Sequence, residues 1–76
     1  MNKYRRKSLQ DIKDQLEELK CRLEGLQAEE EEYRDGMPWN MQGSEKYEKA
    51  DEAAGNIGSA AESLDEAIAS IEAAKE

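Results

Sequence analysis

From Leu9 onward, apolar residues fall at Leu9, Ile12, Leu16, Leu19, Leu23, Leu26 and Tyr33, in alternating steps of three and four, with Glu30 filling the skipped position. The rhythm returns at Tyr47, Ala50, Ala54, Ile57, Ala61, Leu64, Ile68 and Ile71. A strict 3-4 alternation sustained this long is the seam of a coiled coil. The two series are mirror images about residue 40, so pairing positions whose numbers sum to 80 aligns every seam residue. Leu9 then faces Ile71, Ile12 faces Ile68, Leu16 faces Leu64, Leu19 faces Ala61, Leu23 faces Ile57, Leu26 faces Ala54, Glu30 faces Ala50 and Tyr33 faces Tyr47. The expected fold is all-α, an antiparallel two-helix coiled-coil hairpin. Helix one covers about 4–34, the turn 35–44 and helix two about 45–75. Large-against-Ala layers are expected to bring the helices close near the turn.

The flanks test this register independently. With Leu9 and Tyr47 as heptad position a, the e positions of helix one are Lys13, Lys20, Gln27 and Arg34, and those of helix two are Asp51, Gly58, Asp65 and Glu72. Basic meets acidic along that edge; exposed pairs of this kind set orientation more than stability. The opposite edge of helix two is a strip of small side chains at the g positions, Ala53, Ala60, Ala67 and Ala74. Alanine is the best helix former and can simply fill a weakly packed flank. A two-helix hairpin, however, covers one side of its seam thinly, and domains this small commonly need a partner. A homo-oligomer is expected, a dimer forming an antiparallel four-helix bundle.

The segment Asp35 to Glu48, "DGMPWNMQGSEKYE", holds the only Pro and the only Trp of the chain. Gly36 supplies a stop signal, Pro38 prevents helix continuation, and Ser44 is an expected N-cap with Glu45 in the first turn. Met37 and Met41 can fold over the Tyr33–Tyr47 layer as an apolar plug. Exposure of Trp39 would turn that plug into a contact site. Gly55 and Gly58 weaken helix two locally, permitting either close approach or bending.

Composition excludes several function classes. Net charge is −8, and Lys3, Arg5, Arg6 and Lys7 place +4 in the first seven residues, which leaves −12 for the rest. Such a surface repels phosphate, so direct nucleic-acid binding is not expected. Mean hydropathy is −1.07. No apolar run approaches the ~20 residues of a membrane span, and "MNKYRRK" is not followed by a signal-peptide core. No membrane association and a cytoplasmic location in a bacterial host are expected. With no His, nucleophile–His pairs are ruled out, and no Gly-rich phosphate loop is present. No catalytic residue, cofactor or metal site is expected. Consecutive residues of the run Glu29 to Glu32 point in different directions, and only Glu30 turns toward the seam, where it could snorkel out, accept a tyrosine hydroxyl or fix the register. Cys21 falls at the outermost position, an exposed thiol. The outer row that includes Glu17, Glu18 and Glu24 either keeps the coil soluble or offers a surface to a basic protein.

The turn carries a resemblance. Tyr33, Met37, Pro38, Asn40, Gln42, Ser44, Glu45 and Tyr47 resemble a Met-Pro-x-Asn-Leu-Gln-x-Ser-Glu-Arg-Tyr-like segment of small helical-hairpin proteins encoded by phages and prophages of Gram-positive bacteria. Met41 stands where Leu is usual, Lys46 where Arg is usual, and Trp39 where a polar residue is usual. The likeness covers about a third of the chain. It implies a phage accessory protein of helical-hairpin fold. The expected function is non-enzymatic, a small acidic phage-derived protein that binds a host or phage protein with a basic surface and inhibits a nucleic-acid-handling or defence system. The alternative is a self-assembling structural hairpin, dimer or tetramer, with no inhibitory role. Trp39, Met37, Met41, Ala53, Ala60, Ala67, Ala74, Glu17, Glu18 and Glu24 are the candidate interaction residues.

Overall fold

The computed structural model describes residues 1–76 and contains two long helices and a short connection. Helix α1 spans Lys3–Asp35, a single 3-10 turn η1 spans Trp39–Met41, and α2 spans Glu45–Ala74. The helices pack against each other as a hairpin with no strands. The molecule is a rod of 59 × 14 × 12 Å. Its radius of gyration is 17.3 Å, against ~11 Å for a compact domain of this length.

Local chemistry sets the helix ends. The Asn2 side chain accepts from the Arg5 backbone N–H at 2.8 Å, capping α1. Ser44 Oγ accepts from the Tyr47 N–H at 3.3 Å and caps α2, with Glu45 and Glu48 in the first turn opposite the positive helix end. At the end of α1, Gly36 stays right-handed, with φ −77° and ψ −7°. The stop therefore does not use glycine's left-handed freedom. What Gly36 spares is a tight contact, because a Cβ there would lie 3.1 Å from the Glu32 carbonyl oxygen. Pro38, extended at φ −56° and ψ 147°, then breaks the helix.

Four cross-helix side-chain placements confirm the register. Lys13 Nζ lies 2.7 Å from a Glu72 carboxylate oxygen, Lys20 Nζ 2.8 Å from Asp65, and Arg34 Nη1 2.6 Å from Asp51. The fourth pair, Gln27 and Gly58, is in close approach, since a Cβ on Gly58 would meet Gln27 Nε2 at 2.7 Å. All four are the e-edge pairs expected from the 3-4 pattern. At the open end of the hairpin, Arg6 Nε donates to the Lys75 carbonyl at 3.0 Å, so a cation closes the negative end of α2.

Burial is asymmetric. Only Ala50, Ala54 and Ala61 are fully buried, and these are the three alanines of the seam. Leu9, Leu16 and Leu23 of α1 are half-buried, as are Ile57, Leu64, Ile68 and Ile71 of α2. The other seam row of α1, Ile12, Leu19, Leu26 and Tyr33, keeps 45–53% of its surface exposed. Size explains the difference at Leu19 and Leu26. Each is placed by the register opposite an alanine, too small to enclose it, and lines the open side of the seam.

Candidate functional site

The hairpin presents four distinct surfaces: the tip, two long edges and the outer face of α1. At the tip, the turn is held by its own backbone. Met41 N–H donates to the Pro38 carbonyl at 2.8 Å, and Ser44 N–H donates to the Met41 carbonyl at 3.0 Å. This 3-10 turn leaves Trp39 with 86% of its surface exposed. Met37 is half-buried, whereas Met41 and Tyr33 remain exposed. Of the two methionines only Met37 is half-buried, and Met41 stays exposed at 39%. Glu30 is half-buried, and no tyrosine hydroxyl donates to it.

The e edge is electrostatically matched. A hydrogen bond to Glu72, with the attraction of its charge, raises the pKa of Lys13, and Asp65 does the same for Lys20. Glu72 is correspondingly lowered, first by the Lys13 hydrogen bond and then by Lys75. Arg34 is held well above its ordinary value by hydrogen bonds to Asp35 and then Asp51. Lys75 Nζ also donates to Gln10 Oε1, tying the helix ends together.

The opposite edge carries no cross-helix ion pair. Here a groove of about 310 Å³ opens between Leu19, Arg22, Leu23, Leu26 and Leu64. Of the small strip along α2, Ala53 and Ala67 are half-buried, and Ala60 and Ala74 are exposed. Arg22 stands at the groove without an acidic partner.

The acidic residues do not act as one row. Glu17 lies 3.7 Å from Lys13 and Glu24 4.0 Å from Lys20, so both join the e edge. They line one hollow with Lys20, Cys21, Asp65 and Ile68. Glu18 is exposed and unpaired, separate from them. Cys21 is an exposed free thiol. No three Cys, Asp or Glu side chains converge as metal ligands, and no helix is long and apolar enough to cross a membrane.

Reading the sequence for interaction residues singled out the alanine strip and missed the larger apolar row beside it, Ile12, Leu19, Leu26 and Tyr33. A signal was present for Leu19 and Leu26, which face alanines too small to enclose them; Ile12 and Tyr33 face Ile68 and Tyr47 and carried none. The role of Asn2 as a cap was missed as well. Compared with protein-family models, with curated proteins and with solved structures, the chain has no match.

Proposed function

We propose that the chain is a non-enzymatic protein-binding module that engages its partner through the tip of the hairpin. The observation that carries this reading is Trp39, which presents 86% of its surface to solvent from a hydrogen-bonded turn. An indole held outward on a braced backbone can be buried by a partner with little loss of chain freedom, and tryptophan is prominent among residues that dominate interface energetics. Met41 and Tyr33, near the same turn in sequence, are exposed as well.

Charge supports the partner's chemistry. With a net charge of −8, the rod attracts a protein with a basic surface and repels nucleic acid itself. Glu18, exposed and without an ion pair, is the best placed of the outer acids to meet such a surface, with Glu17 and Glu24 to one side. Together with the resemblance of the turn to phage proteins, this supports a small phage-derived protein acting in the bacterial cytoplasm on a nucleic-acid-handling or defence protein. The second reading, a self-assembling hairpin, is favoured by the exposed apolar row of α1.

A tagged pull-down from infected and uninfected host lysate tests the first reading. A host or phage protein is expected to be retained by the wild type and lost with Trp39→Ala, while the variant keeps its helical circular dichroism. Weakened capture when Glu17, Glu18 and Glu24 become Lys would identify the acidic contribution. If every retained protein persists with Trp39→Ala, the tip is not the binding site.

A further inference from the structure

We propose that the open edge is covered by a second copy of this chain, related by a two-fold axis parallel to the rod, with both turns at the same end. In that arrangement α1 of each copy lies antiparallel beside α2 of the other, and the exposed row Ile12, Leu19, Leu26 docks on the row Ala67, Ala60, Ala53. This goes beyond the tip reading and does not depend on it.

Area is the first support. The chain exposes 5700 Å² at a mass of 8.6 kDa, whereas a compact monomer of that mass exposes ~4,700 Å². The excess of about 1,000 Å² is comparable to the ~800 Å² that each partner buries in a stable interface. Part of the exposed apolar surface lies on the open edge, where Leu19, Leu23, Leu26 and Leu64 line the groove.

Register is the second. Rotation about an axis parallel to the rod moves nothing along it, so residues level within one hairpin are level between copies. Ile12, Leu19 and Leu26 are level with Ala67, Ala60 and Ala53: each pair sums to 79, against 80 for the hairpin's own seam. The mismatch is one residue, about 1.5 Å. Each large side chain therefore meets a small one at its own height, without any sliding of the copies. The hairpin uses its e edges internally, through Lys13–Glu72, Lys20–Asp65 and Arg34–Asp51, which leaves the g edges for the neighbour.

Charge is the third and disfavours the main alternative. Beyond the g positions, α1 presents Asp11, Glu18 and Glu32, and α2 presents Lys49, Asn56, Ser63 and Ser70. With α1 beside α2 of the second copy, Asp11 is level with Ser70, Glu18 with Ser63, and Glu32 with Lys49. Arg22 faces this neutral row. With α1 beside α1, the acidic row would meet itself, a like-charge juxtaposition that disfavours the pairing.

Sedimentation combined with pulsed electron paramagnetic resonance tests the proposal. The wild type is expected to sediment as a dimer. Leu19→Glu, and separately Ala60→Glu at an exposed position, should each raise the dimer dissociation constant at least ~100-fold by burying an unpaired charge, with helicity retained. In a Cys21→Ser, Asn40→Cys background, nitroxides at position 40 should lie within ~30 Å of each other, since helices of a bundle pack ~8–10 Å apart. Opposed turns would separate the labels by most of the 59 Å rod. A wild type that is not a dimer, a dimer indifferent to Ala60→Glu, or the long distance would each overturn the proposal.

Discussion

The two long edges of the hairpin come from the same heptads and differ in almost everything else. The e edge places three cations against three carboxylates, plus a glutamine over a glycine, and it closes on itself within one chain. The g edge places Ser8, Gln15, Arg22 and Glu29 near a row of alanines and leaves an apolar groove open. Ion pairs at a rim are directional but weak, so the first edge selects which faces meet. Burial of apolar area is strong but non-directional, and on the second edge that area is left exposed in the single hairpin. The charges that set orientation and the apolar area left exposed thus lie on opposite sides of one rod.

The largest expected effect would break that contrast. Leu16 is half-buried in the seam, and Leu19 on the open edge is 45% exposed. In an isolated hairpin Leu16→Ala should cost much more than Leu19→Ala. With the open edge covered, both should cost about 2–5 kcal/mol, the range for deleting a buried leucine. Urea unfolding at high and low protein concentration measures this, and a concentration-dependent gap between the two variants is the expected outcome. If Leu19→Ala costs little at every concentration, the open edge contributes nothing to stability.

Next in size is the close approach of the helices. Ala61, with 5% of its surface exposed, has no room for growth, so Ala61→Leu should destabilise by about 1–3 kcal/mol. Ala60→Leu, one residue away on the open edge, should not disturb the hairpin itself. A thermal melt that ranks them the other way would mean the seam is rotated.

The glycines give a smaller and opposite effect. A Cβ on Gly55 meets nothing within 4 Å, whereas one on Gly58 meets Gln27. Gly55→Ala should therefore stabilise by up to about 1 kcal/mol, raising the midpoint by roughly 4–8 °C per kcal/mol for a domain of this size. Gly58→Ala should gain less, because Gln27 must swing away. Equal gains would show that the Gln27 contact has no energetic weight.

The smallest effect belongs to the charged edge. The folded pKa of Glu72 is depressed, so its contribution is present above the ordinary carboxylate pKa and lost as pH falls through the folded value. Lys13 and Lys20 are raised, so theirs is present below the ordinary lysine pKa and lost as pH rises through the folded value. The midpoint difference between wild type and Glu72→Gln should be small and positive near neutrality. It should vanish in acid and shrink at high salt. A difference that persists in acid would mean that Glu72 acts through packing and not through charge.

The hairpin was legible in the sequence because its determinants are one-dimensional. A 3-4 repeat specifies helices, the mirror about residue 40 specifies that they run antiparallel, and the e-edge charges specify the register later seen in Lys13–Glu72 and Arg34–Asp51. Ser44 was legible as a cap because side-chain capping is local chemistry. The tertiary structure alone decided which seam row is covered. Coverage depends on how far each helix is rotated toward its neighbour and on whether a third neighbour exists. It left Ile12, Leu19, Leu26 and Tyr33 half-exposed, two of them, Leu19 and Leu26, over alanines too small to enclose them. It likewise kept Gly36 right-handed, brought Gln27 over Gly58 but nothing over Gly55, and turned Trp39 outward. Each of these outcomes depends on what occupies the space around a residue, and periodicity along a chain does not encode that.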